Sequence, residues 1–209
     1  SDVEPTIYTF EPVPQTFIKL YKSIEELKLS KYVCPIAAAV GDQKDLVCLS
    51  VNPRESGFAQ ITNGEINSRV GDRLAYSVSI ALDEFVDRLG ITPSLVKIDV
   101  EGSEIDVLMG ARRLLTGPSR PALLFEFNPL TLAERQADLA SISDILTGYS
   151  IYYVDDFEGQ KKKYGAPIER LEDISWVCNI FAVPETGTNA TRYAAALQIA
   201  RSRVERHHC

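Results

Sequence analysis

The sequence predicts an α/β fold: an open β-sheet, mostly parallel, whose last strand returns antiparallel. Three observations carry this reading. Short β-prone apolar runs alternate with amphipathic stretches of about 10–15 residues, the layout of β-α-β units with right-handed crossovers that cover both faces of a sheet. Ile151–Val154 and Trp176–Val183 are joined by a polar stretch with no convincing helix, so the final strand has no crossover and must reverse. The 209 residues, 45% hydrophobic and 24% charged, suffice for one sizeable core, so residues 1–209 are expected to form a single domain.

Ile7–Phe10 is a short strand stopped by Glu11-Pro12-Val13-Pro14, where two prolines forbid further pairing. From Gln15 to Leu29 the apolar residues Phe17, Ile18, Leu20, Tyr21, Ile24 and Leu27 recur at three and four, which predicts a helix packed on one face. Val33–Val40 is again apolar and ends at Gly41-Asp42, and Asp45–Val51 and Tyr76–Leu82 resemble strands around a polar connection. Leu82–Leu89 reads as a short helix closed by Gly90. Leu95–Val100 is a compact β-branched run, expected as a buried parallel strand. Ser103 is placed to cap one helix running through Ile105, Leu108 and Leu115. Pro121–Phe127 is the next strand, stopped by Asn128-Pro129, and Thr131–Leu146 has helical periodicity. Ser150–Val154 and Trp176–Val183 complete the strands, and Thr191–Arg203 can form a final helix.

Charge and composition remove several function classes. With 22 Lys+Arg against 29 Asp+Glu, the net charge of -7 repels phosphate backbones, so no nucleic-acid partner is expected. Tyr32–Val40, the longest nearly uncharged apolar stretch, is about half the length a spanning helix needs, so no membrane span is expected. The first residues have no basic-then-apolar leader pattern, and a cytoplasmic location is expected. The histidines, His207 and His208, are adjacent at the end, which excludes an internal catalytic triad. Cys34, Cys48, Cys178 and Cys209 are widely spaced without a C-x-x-C pair, and read as buried free thiols rather than a metal site.

Ligands of open parallel sheets sit beyond the carboxyl ends of the strands, and acidic residues gather at those positions here. Glu11, directly after a strand and before a helix, stands where nucleotide-binding sheets place a carboxylate on ribose hydroxyls; a solvated loop acid held by two prolines is the alternative. Lys97, Asp99 and Glu101 alternate along one side of a strand. A buried Lys97–Asp99 pair is the plain explanation for Lys97, whereas Asp99 and Glu101 lie near the strand tip, within reach of a ligand. Glu104, in the first helical turn, reads as complementing the helix dipole. Glu126 either completes a carboxylate cluster for proton transfer or a hard cation, or belongs to a shared-proton or Lys97-paired core network. Lys161, Lys162 and Lys163, with Phe157 and Tyr164, lie in a loop leaving the ligand end of the sheet and are either a lid over the acceptor or a solvated face.

Together, Tyr8-Thr9-Phe10-Glu11-Pro12-Val13-Pro14, Ala39-Val40-Gly41-Asp42, Leu82-Asp83-Glu84-Phe85, Lys97-Ile98-Asp99-Val100-Glu101-Gly102-Ser103-Glu104, Gly110-Ala111 and Leu124-Phe125-Glu126 form a recognisable series. In order and spacing the chain resembles the FkbM family of S-adenosylmethionine-dependent methyltransferases from residue 7 to about residue 183. The resemblance implies a class I methyltransferase (Rossmann-like) sheet of seven strands, with S-adenosylmethionine as cofactor. It further implies methyl transfer to a hydroxyl oxygen of a small-molecule or glycan acceptor: a sugar, a glycolipid or a polyketide-type natural product. Carried over, Glu11 would bind the cofactor ribose, and Ala39, Val40 and Asp42 would lie near the adenine. Asp99 and Glu101 would flank the methionine or acceptor end, with Asp99 or Glu101 as the base and Glu126 beside them. Family members carry a strand and an Asp-x-Gly-x-x-x-Gly loop before the Phe-Glu-Pro strand. Ser1–Thr6 contain no such loop, so the first strand and glycine loop are expected to belong to an upstream segment. A noncatalytic α/β binding domain is the rival reading. A nicotinamide-dependent oxidoreductase would need G-x-G-x-x-G after a strand, and none occurs.

Overall fold

The computed structural model describes residues 5–52, 59–62, 72–100, 102–134, 139–156 and 167–194. They fall into two compact units, Ser1–Ala81 and Leu82–Cys209.

The first unit opens with β1 (Ile7–Phe10), α1 (Pro14–Glu26) and β2 (Val33–Ile36), a β-α-β unit in which β1 and β2 pair in parallel from Ile7–Val33 to Phe10–Ile36. Pro14 fits the first helical turn, where its missing N–H costs nothing. The helix stops at Glu26, short of the expected Leu29, because Lys28 turns left-handed at φ 57° and the chain closes with the Leu29 N–H on the Ile24 carbonyl.

Val33–Val40 is not one strand. It breaks after Ile36, whose carbonyl accepts the Ala38 N–H, and resumes as β3 (Ala39–Gly41) in a different sheet. That sheet contains β4 (Asp45–Val51), β5 (Gln60–Thr62) and β6 (Arg73–Ala81) in the order β3-β6-β4-β5. The strands expected at Asp45–Val51 and Tyr76–Leu82 pair antiparallel, from Asp45–Ser79 to Val51–Arg73. Val13, Leu49 and Val51 form a buried cluster, with Ala59, Ile61 and Ala75 packed against it.

The second unit begins with α2 (Leu82–Leu89) and β7 (Leu95–Ile98), followed by α3 (Glu104–Gly110), α4 (Arg112–Thr116) and β8 (Ala122–Phe127). Next come α5 (Pro129–Glu134), α6 (Leu139–Ile145), β9 (Tyr149–Asp156), β10 (Pro167–Ile168), a 3-10 turn at Leu171–Asp173 and β11 (Cys178–Pro184). The five strands lie in the order β10-β9-β11-β8-β7. The expected reversal of the last strand is present: β11 runs antiparallel to both β8 and β9, between them. Phe125, Phe127, Ile180 and Ala182 are buried on one side of this sheet, while Leu124, Glu126, Asn179 and Phe181 on the other are half-buried.

The fold is α/β, but the expectation of mostly parallel pairing needs correction. Among the described residues three pairings are parallel (β1·β2, β3·β6 and β7·β8) and five are antiparallel. The excess comes from the β4–β6 region and from β10, which lies in a stretch expected to be loop.

Two expected helices are interrupted. Ala111, at φ -111° and ψ 10°, separates α3 from α4, and α4 restarts on a cap from another helix: Asp83 of α2 accepts the N–H groups of Arg113 and Leu114, both at 2.8 Å. The helix expected at Thr131–Leu146 starts earlier, at Pro129, because Asn128 Oδ1 accepts the Leu130 and Thr131 N–H groups at 3.1 and 3.3 Å. Among the described residues it is divided into α5 and α6. Residues 188–194 are helical, ahead of the expected Thr191 start, and residues 195–209 lie outside the described residues.

Candidate functional site

In the first unit, Glu11 follows β1 and continues its pairing for one step, its N–H donating to the Ile36 carbonyl at 3.0 Å. The carboxylate turns back over the Glu11-Pro12-Val13 bend, where Oε1 accepts the Val13 N–H at 2.8 Å. Glu11 is half-buried; burial pushes its carboxyl above the ordinary value, and the Val13 N–H works against that rise. Among the described residues no side chain or backbone donor engages Oε2, which leaves an acceptor at a strand end. Ala39 is buried, Val40 half-buried and Asp42 exposed just beyond β3. Between them Gly41 allows a close approach: a Cβ there would stand 2.7 Å from Ser79 Oγ, so the Ser79 side chain would have to shift.

In the second unit, Lys97 Nζ donates to Asp99 Oδ2 at 2.6 Å, so the expected pair exists. Its burial does not: the two side chains are 58% and 55% exposed. Among the described residues β7 stands at the end of the five-strand order, and the face on which Lys97 projects is open to solvent. β7 also ends at Ile98, which places Asp99 beyond the strand rather than in it. Glu101 lies outside the described residues, as do Lys161, Lys162, Lys163, Phe157 and Tyr164. Glu126 is half-buried in β8, directly across from Asn179 of β11. Register places Lys97 beside Leu124 and Ile98 beside Phe125, so Asp99 and Glu126 occupy the carboxyl ends of adjacent parallel strands. Burial, reinforced by the Glu126 charge, pushes the Cys178 thiol up to about 11.

Two residues differ from their sequence reading. Ser103 sits at the N-cap of α3 and is buried, but its side chain makes no capping bond. Glu104 is buried, and its Oε1 accepts the Val100 and Gly102 N–H groups at 3.3 and 3.1 Å, so it binds the turn in front of the helix. A Gly-x-Glu spacing at a helix start is the available signal, although it does not say whether the acid faces water or backbone. Gly102 itself, at φ 97°, packs so closely that an added Cβ would lie 2.7 Å from Thr131 Cγ2.

The described residues contain no group of three or more His, Cys, Asp or Glu arranged to hold a metal ion, and no helix long and apolar enough to cross a membrane. The sequence model described as "Methyltransferase FkbM domain" matches residues 1–153, most of the chain. The chain belongs to the FkbM methyltransferase family. Within that match lie β1 with Glu11, β3 with its flanking residues, and the β7 and β8 ends with Asp99 and Glu126. Among solved structures, the crystal structure of methyltransferase FkbM from Methylobacillus flagellatus is similar at 17% identity, with a TM-score of 0.49. The similarity covers 85% of this chain and 36% of that one, so the chain spans little more than a third of that protein's length. No curated protein matches.

Proposed function

We propose that this FkbM-family chain is an S-adenosylmethionine-dependent O-methyltransferase, residues 1–209 working as one domain. Its acceptor would be a hydroxyl of a sugar, glycolipid or natural product. The observation that carries the reading is the family match over residues 1–153, which contains Glu11, Ala39, Val40, Asp42, Asp99, Glu101 and Glu126.

The residues present fit such a cofactor at one position that can be checked. Glu11 is held by the Val13 N–H through one carboxylate oxygen and presents the other at a strand end, an arrangement suited to a ribose hydroxyl. Ala39, Val40 and Asp42 follow as the adenine-proximal segment, where the absence of a Cβ at Gly41 permits close packing.

When bound, the cofactor supplies an electrophilic methyl group on its sulfonium. The chain's own task is alignment plus removal of one proton from the acceptor hydroxyl. Asp99 is assigned that proton, with its exposed Lys97 pair as an exchangeable counter-ion, and Glu126 holds charge on the adjacent strand. Glu101 shares the assignment with Asp99 as the alternative base.

Calorimetry with S-adenosylmethionine and its demethylated product, followed by transfer of labelled methyl to a panel of glycans and polyhydroxylated small molecules, tests the proposal. Saturable cofactor binding with transfer to a hydroxyl acceptor is the expected outcome. Binding without transfer to any acceptor would favour a noncatalytic binding domain, and no binding at all would sink both.

A further inference from the structure

Glu104 is a buried carboxylate that, among the described residues, has no charged partner; both of its hydrogen bonds come from backbone N–H groups of the turn that follows β7. The Val100 N–H belongs to the peptide plane shared with Asp99. A bond from Glu104 Oε1 to that N–H therefore fixes the plane from which the Asp99 side chain departs. The second bond, to the Gly102 N–H, anchors the far side of the same turn.

The turn is also held from outside. Gly102, in the left-handed region at φ 97°, lies against the Thr131 methyl of α5, and the start of α5 is secured by Asn128. By contrast, among the described residues the side-chain partner of Asp99 is exposed Lys97, a flexible cation that cannot define its direction. Orientation of Asp99 therefore has to come from its backbone.

We propose that Glu104 is a positioning residue for methyl transfer, setting the presentation of Asp99 through the Asp99–Val100 peptide. The inference rests on the methyltransferase reading in which Asp99 faces the acceptor. It differs from a simple dipole role, because an acid that only complements α3 would leave the turn free.

Glu104→Gln keeps a carbonyl oxygen of the same reach for both N–H groups, whereas Glu104→Ala removes it. Misplacement of a reacting group by about 1 Å costs on the order of a hundredfold in rate, so Glu104→Ala should lower kcat at least roughly tenfold. The cofactor dissociation constant should stay within about twofold of wild type, and Glu104→Gln should restore most of kcat. Gly102→Ala, which presses on the same turn from the Thr131 side, should reproduce the loss of kcat even if Glu104→Ala fails to fold. Folded Glu104→Ala with wild-type kcat would overturn the inference, as would a Glu104→Gln variant as impaired as Glu104→Ala; if Glu104→Ala is not folded, wild-type kcat in Gly102→Ala overturns it. A wild-type protein that transfers no methyl would bring down the methyltransferase reading and this inference with it.

Discussion

The Asp83 carboxylate reaches from α2 to Arg113 and takes its backbone N–H at 2.8 Å, while its other oxygen takes the next N–H, of Leu114, at the same distance. One acid thus supplies both first-turn acceptors of a helix thirty residues away. The Arg113 guanidinium folds over it at 3.5 Å and also pairs with Asp87 at 2.7 Å.

That arrangement makes Asp83 a stability residue. Asp83→Ala should cost about 1–2 kcal/mol, from loss of the cap and two part-buried N–H groups left without their acceptor. In a chain of this size that is a melting shift of roughly 2–8 °C. Asp83→Asn, which keeps one acceptor, should fall between. Thermal denaturation of the three proteins decides, and an Asp83→Ala melt equal to wild type would remove the cap from the account of why α3 and α4 are separate.

Lys97 and Asp99 behave differently because both are more than half exposed. Lys97→Met should change stability by about 0.5 kcal/mol or less, as for other solvated pairs. Asp99→Asn should be equally mild on melting but should lower turnover on the order of a hundredfold if Asp99 is the base. Urea denaturation and single-turnover transfer on the same samples separate the two effects. A loss of several kcal/mol in either variant would mean that the pair is desolvated in solution.

Glu11 carries a pH signature of known sign. Burial raises its carboxyl in the folded chain above the ordinary value of 4.5, so the fold favours the protonated form. The resulting stability is fully present below about pH 4.5 and is lost as pH rises through the higher folded value. Glu11→Gln lacks this titration and can still accept the Val13 N–H. It should melt at or above wild type at neutral pH, with the difference vanishing in acid, while cofactor affinity drops by about 1.5–3 kcal/mol. Calorimetry and melting curves from pH 4 to 8 test both halves, and unchanged cofactor affinity would withdraw the ribose assignment.

Cys178 should be inert in the native protein. It is fully buried and its thiol is pushed up to about 11, whereas Cys34, against the expectation of buried thiols, is exposed because it lies in β2 on a side that no other element covers among the described residues, and Cys48 is only half-buried. Alkylation at pH 8 followed by peptide mapping should label Cys34 within minutes and Cys178 only after denaturant is added. Rapid native labelling of Cys178 would show that the β8·β11 pairing opens readily.

Much of the element order was legible in the sequence because it is written in local patterns. The two prolines after Glu11 end β1, the three-and-four spacing marks α1, and Asn128-Pro129 both ends β8 and begins α5. The reversal of β11 was legible too, from the missing crossover helix. Tertiary structure alone decided which strand pairs with which. Val33–Val40 is continuous in hydrophobicity yet serves two sheets, because β2 finds β1 and β3 finds β6, and pairing partners leave no trace in local periodicity. Lys97 looked buried because a β-branched run suits a central strand, but among the described residues β7 ends the strand order and the Lys97 side chain is exposed, and a strand's place in the order depends on the whole sheet. The same holds at the site. Glu11 could be read from its place after a strand, whereas the work of Glu104 could not, since a first-turn acid has one sequence signature whether it meets water or two backbone N–H groups. Sequence records how each segment hides its apolar side; where polar groups find their partners is settled only when distant segments meet.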